Sequence, residues 1–165
     1  MLASLAAAGD GSLHLCEPTF IGMPIEWEWS STRTLAETAI QSAICDAVGL
    51  EPDFAWLQAP AIISPEFLEA SAPFVIQREE ADDNATGWLM HEDGFDGSDA
   101  RWASLYEISL HHPWIIPFMG LSAGATVWWD GEVVEIEASG TRVSSKDGSI
   151  LSDLVKSPWM RARAG

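Results

Sequence analysis

The chain has 165 residues, 47% hydrophobic and 20% charged, with 25 acidic against 8 basic side chains and a formal charge of −17. That length and composition fit a single folded domain spanning 1–165 and exclude a disordered chain. Charge of this sign argues against nucleic-acid binding and against anionic membranes; it suits a cationic partner, although acidic surfaces also serve solubility alone.

The two cysteines, Cys16 and Cys45, are too few for a disulfide framework or a four-ligand zinc site. The opening MLASLAAAGDG is like a stunted signal peptide, but it has no basic start and its apolar run breaks at Gly9 and Asp10. No run reaches the roughly 20 apolar residues of a membrane-spanning helix, so a cytoplasmic location is expected.

Residues 13–29 read as extended, with breaks at Pro18, Gly22 and Pro24. In IEWEW, Ile25, Trp27 and Trp29 alternate with Glu26 and Glu28, which predicts a strand with one buried face. A helix follows. Thr34 and Glu37 have capping-box spacing, Ala36, Ile40, Ala43, Ile44 and Ala47 share a face, and Gly49 is placed to end it. Cys45 falls within this pattern as a small buried hydrophobe. SPEFLEA predicts a short helix capped by Ser64, with Pro65 in its first turn.

PFVIQRE (73–79) and TGWLMHE (86–92) predict a hairpin across the acidic turn EADDNA. In the connection HEDGFDGSDARW, Ser98 or Asp99 can cap a helix carrying Trp102, Leu105, Tyr106 and Ile108, which Pro113 ends. ATVWWDGEVVEIEA is the strongest hairpin signal, with Asp130-Gly131 suited to a type I′ turn. GSILSDLVKSPWMRARAG reads as a short amphipathic helix and a basic tail. Strands and helices do not alternate regularly, so the expected class is α+β, a mostly antiparallel twisted sheet with helices packed on one face.

The chemical motifs tested fail. An EF-hand loop starting at Asp93 would place Phe95 and Gly97 at ligand positions and Ser104 where a glutamate is needed. His111 and His112 diverge as neighbours and have no ligand partner at a recognised spacing; one solvated and one packed histidine is the simpler reading. Gly120, Ser122 and Gly124 match G-x-S-x-G but lie in the wrong context for a nucleophile elbow. Glu107 is the one carboxylate to inspect as a raised-pKa acid, against the plainer reading of an exposed helix residue. No catalytic residue, metal site or cofactor is expected.

Charge placement survives these tests. Glu79, Glu80, Asp82, Asp83, Glu92, Asp93, Asp96 and Asp99 fall in one stretch without a Lys or Arg. If the hairpin forms, its turn and the loop after its second strand lie at opposite ends, so the two acidic groups need not make one patch. Nine tryptophans add a large apolar payload; most belong in a core, and any exposed one would mark a binding surface.

QREEADDNATGWLMHEDGFD followed by LYEISLHHPWIIPFMGLSAGATVWW resembles the Immunity protein 33 family over roughly residues 73–130. The Arg-Glu-Glu run matches Arg78, Glu79 and Glu80, the Gly-Trp step matches Gly87 and Trp88, and the acidic loop matches Asp93 and Asp96. The downstream pattern matches Leu105, Pro113, Ile115, Ile116, Gly124 and Trp128. HHP replaces the usual acidic residue before proline, and SAG replaces Pro-x-Gly.

On this division 73–138 is the family-like unit and 1–72 an N-terminal elaboration of the same domain. The resemblance implies a non-enzymatic protein that neutralises a toxin or effector by binding it. Partner-binding candidates are Glu79, Glu80, Asp82, Asp83, Trp88, Glu92, Asp93, Asp96 and Asp99. Two other readings stay open: a small-molecule-binding protein or small enzyme with a tryptophan-lined pocket, and a homo-oligomer formed through strand edges.

Overall fold

A computed structural model describes residues 4–71, 73–81 and 85–156. Strands β1 (Ser4–Ala7), β2 (Leu13–Pro18) and β3 (Trp27–Glu28) form a small antiparallel sheet. IEWEW therefore contributes only two strand residues, at an edge, and Trp27 and Trp29 are exposed rather than buried. Trp29 stacks on His14 instead of entering a core.

Helix α1 (Thr32–Val48) ends at Gly49, whose φ of 72° allows a left-handed cap; the amides of Gly49 and Leu50 donate back to Asp46 and Cys45 carbonyls. Its start and its inward face differ from the sequence expectation. Ser31 makes no side-chain cap. The buried Glu17 of β2 reaches across and accepts from the amides of Thr34 at 2.8 Å and Arg33 at 3.4 Å. The buried face is Thr34, Glu37, Gln41, Ile44, Cys45 and Val48, while Ala36 and Ala47 point outward.

Polar residues face inward here because the neighbouring backbone demands donors. Gln41 Nε2 donates to the Ile116 carbonyl at 2.6 Å, and Cys45 Sγ to the Gly120 carbonyl at 3.2 Å. Cys45 is indeed buried, and that burial pushes its thiol up to about 11.

Glu17 gives a pH prediction. Burial acts to raise its pKa, but hydrogen bonds from Ser30 and from Thr34 and Arg33 outweigh it and hold the carboxyl below the ordinary value. A lowered folded-state pKa contributes stability that is fully present above the unfolded value and is lost as pH falls through the folded one. Glu17→Gln should therefore cost roughly 1 kcal/mol at neutral pH and shrink toward no effect below about pH 4. Urea titrations at both pH values check this; an equal loss at both would mean the carboxylate charge contributes nothing.

The remaining strands are β4 (Pro60–Ile63), β5 (Phe74–Arg78), β6 (Trp88–Glu92), β7 (Arg101–Ser104), β8 (Ala125–Trp129), β9 (Val134–Ala138) and β10 (Thr141–Ser144). They make one seven-stranded sheet in the order β10-β9-β8-β5-β6-β4-β7. Every pairing is antiparallel except β4 with β6. The fold is α+β with an antiparallel-rich sheet, as expected.

The β5–β6 hairpin pairs Arg78 with Trp88 and Phe74 with Glu92. The β8–β9 hairpin forms too, but its connection is four residues rather than a two-residue turn. Trp129 pairs with Val134, and Asp130 Oδ1 accepts from the amides of Glu132 and Val133.

Residues 101–104 are strand and not helix, because they pair with β4 as its outer neighbour. Helix α2 (Leu105–His111) starts later, with Ser104 as its cap: Ser104 Oγ accepts from the Glu107 amide at 3.1 Å. The Ser98/Asp99 cap expected from sequence is thus displaced. Pro113 opens a 3-10 turn, Pro113–Phe118. SPEFLEA makes one tight turn, with the Ala70 amide donating to Glu66, and no helix. Helix α3 (Ile150–Lys156) follows β10, and the basic tail after it lies outside the described residues.

One face of the large sheet carries the core. Ile63, Met90, Ile76, Val127 and Ile136 meet Ile44 and Val48 of α1, Leu105 and Ile108 of α2, and Leu151 of α3. Among the described residues no helix covers the opposite face, and one row crosses all seven strands on it: Trp102, Ile62, Leu89, Gln77, Thr126, Glu137 and Arg142. None of these is fully buried. Among the described residues no helix is long and apolar enough to cross a membrane.

Candidate functional site

The acidic candidates divide between the two ends of the β5–β6 hairpin. Glu79 and Glu80 follow β5 and are exposed; Asp82 and Asp83 lie outside the described residues. Five paired positions away, Glu92 ends β6 and leads into the loop holding Asp93, Asp96 and Asp99. With about 3.4 Å of rise per strand residue, the two groups sit on the order of 17 Å apart along the hairpin. They do not form one patch.

The second group builds the better-defined surface. Glu92, Asp93, Asp96 and Asp99 line a shallow concavity of about 320 Å³ together with Glu66, Pro65 and Phe95. Several contacts shape it. The Ser64 hydroxyl donates to Glu92 Oε2, and the Asp93 amide donates to the Pro73 carbonyl. Asp96 Oδ1 accepts from the Ser98 amide at 2.9 Å; Ser98, through its side chain and amide, holds that carboxyl below the usual range. Phe95 packs beside His91, whose Nδ1 lies 2.8 Å from the Glu92 carbonyl.

Among the described residues no three His, Cys or carboxylate groups converge closely enough to hold a metal ion. Glu66 was missed by sequence reasoning, since it lies 26 residues from Glu92, outside the acidic stretch. Only the β4–β6 pairing brings them together.

Trp88, expected as a partner-binding residue, lies in the core. It is 2% exposed, because its place opposite Arg78 puts it on the helix-covered face of the sheet. Trp114 and Trp129 join it in the core, and Trp128 lies half-buried under the Arg142 guanidinium. Among the described residues the exposed indoles are Trp27, Trp29, Trp56 and Trp102. Trp102 is 59% exposed on β7, an edge strand that begins two residues after Asp99. Phe95 is the aromatic residue that lines the acidic concavity, and the spacing of Trp102 from Asp99 is the signal that sequence reasoning spent on a helix.

His112 Nε2 lies 2.6 Å from the Phe67 carbonyl and its ring packs among Phe67, Phe74 and Trp114. His111 is half-buried at the end of α2, and Glu107 is half-buried in its first turn.

No curated protein and no solved structure gives a significant match to the chain. A family model does: the Imm33-like domain matches residues 40–138, from the middle of α1 to the end of β9. That span takes in β4 to β9, α2, the Pro113–Phe118 turn and the acidic concavity, so the chain belongs to the Imm33-like domain family.

Proposed function

We propose that the chain is an immunity-type protein that neutralises a basic toxin or effector by covering it, with no catalytic step and no cofactor, in the cytoplasm. The observation that carries this reading is the concavity with five carboxylates; Trp102 is exposed on the edge strand that follows Asp99. A lysine- or arginine-rich ridge on a partner would enter the concavity, while Trp102 and the apolar end of the open sheet face, Ile62 and Leu89, supply desolvated area. Glu79 and Glu80, at the other end of the hairpin, add long-range attraction more than contact.

The test is a pull-down from native lysate of the source organism, with the full chain as bait at low and at high salt. One basic protein retained at low salt and weakened at high salt, and whose toxicity the chain suppresses on co-expression, is the expected result. Retention of no protein under either condition would overturn it.

A further inference from the structure

The segment ahead of α1 lies outside the family match and carries much of the open apolar surface. On the β1–β2 hairpin the register pairs Leu5 with Leu15 and Ala7 with Leu13, so the three leucines share one face. They are 66%, 39% and 69% exposed for Leu5, Leu15 and Leu13. Glu17, the next residue on that face, is buried where it accepts the Thr34 amide, so α1 covers only the inner end and the leucines extend beyond it. They leave on the order of 300 Å² of apolar surface open, about as much as the largest patch of a typical monomer.

The edge of the hairpin is open as well. The Ala8 amide donates to the Ser12 carbonyl, and antiparallel bonding alternates along the strand. Ser4 and Ala6 therefore turn their backbone groups to β2, while Leu5 and Ala7 turn theirs outward. β1 ends the strand order, and among the described residues no strand pairs with its outer side. Edge strands guard themselves against further pairing with charged side chains. The other three edges do so: β7 has Arg101, β10 has Arg142 and β3 has Glu28. β1, Ser-Leu-Ala-Ala, has no charge at all.

We propose that two copies of the chain join β1 to β1, antiparallel about a two-fold axis, into one six-stranded sheet. Identical strands are self-complementary in this arrangement. With the axis at Ala6, the outward groups of Leu5 meet those of Ala7 of the partner subunit, a large side chain against a small one. Leu15 and Leu5 then continue in one row into Ala7 of the partner subunit and Leu13 of the partner subunit, and the cross-strand contacts cover the leucine flanks. Charge selects the same place. From Ser4 to Ile25 the acids are Asp10 and Glu17, two of the 25, and there is no Lys or Arg. Two copies carrying −17 each repel least where they meet here, and a basic partner finds little to attract it. A four-residue strand makes a small interface, so the dimer is weak and concentration-dependent. This inference is independent of toxin binding, and its failure leaves that reading untouched.

The test is sedimentation equilibrium on the full chain from about 10 μM to about 1 mM, the range in which a small interface associates. The average mass should rise from one chain toward two, and added salt should strengthen the association severalfold by screening the like charges. Toxin binding has the opposite salt dependence. Leu5→Lys should weaken association by at least tenfold, although it lowers the net repulsion between copies. Ala7→Pro should do the same by removing an outward amide that β2 does not use. Both positions are exposed, so the monomer keeps its fold, and either variant carries the test alone. Ile21→Lys, at an exposed site off the hairpin, is the control and should change nothing. A single-chain mass at every concentration and salt would overturn the proposal. So would an association that both hairpin variants leave intact, or that Ile21→Lys weakens equally.

Discussion

Gly87→Ala should remove roughly 3 kcal/mol or more of folding stability, read as a fall in the urea midpoint of the whole chain. Gly87 has φ of 76°, and a Cβ built there would lie 2.2 Å from the Glu79 carbonyl oxygen and 2.9 Å from its carbon. Both are backbone atoms, so no rotamer can relieve the clash. The two residues cannot simply part, because the Glu79 amide donates to the Gly87 carbonyl at 2.8 Å and closes the hairpin beside the Arg78–Trp88 pair. Opening it would loosen Trp88, one of the largest buried side chains.

Gly94→Ala is the control. Its φ of 86° is equally unsuited to alanine, but nothing lies within 4 Å of the new Cβ, so only the conformational penalty of about 1 kcal/mol should appear. Equal losses in the two variants would show that the close approach at Glu79 is not what requires a glycine.

The second large effect concerns association. Once the basic partner is in hand, the combined variant Glu66→Gln, Asp93→Asn, Asp96→Asn, Asp99→Asn should slow binding by about tenfold or more at low salt, with the difference shrinking as salt is added. Neutral isosteres are chosen because Asp96 also accepts the Ser98 amide and Asp99 has a φ of 57°, which asparagine tolerates. Glu92 is left intact because Ser64 bonds to it. Trp102→Ala should act on the other rate, speeding release with little change in the salt dependence of association. Glu79→Gln with Glu80→Gln should slow association less than the concavity variant does. If stopped-flow traces gave the same slowing for both sets, charge would act at a distance only and the concavity would lose its role.

Much of the architecture was legible because its signals are local. The β5–β6 and β8–β9 hairpins show in period-2 alternation and turn residues, α1 ends where Gly49 says it does, and His112 leaves the helix ahead of Pro113. Where local signals compete with pairing between distant segments, the reading failed. Pro60–Ile63 is four residues opened by a proline, and nothing within it announces a strand; it becomes one by pairing with β6 and β7. That pairing also draws Arg101–Ser104 into the sheet, although Trp102, Leu105 and Ile108 have helical spacing. The inward face of α1 likewise follows from carbonyls of Ile116 and Gly120, far away in the chain.

The same division runs through the candidate sites. Sequence alone determined that the chain is acidic, that its acids fall in two groups on either side of a hairpin, and that the Arg-Glu-Glu and Gly-Trp steps tie it to an immunity family. Only the tertiary structure decided that Trp88 is core and Trp102 surface, that Glu66 joins the acidic concavity, and that β1 is an open edge. The physical reason is that charge and periodicity are properties of neighbours along the chain. Burial and the pairing of polar groups depend on which distant segments the sheet brings together.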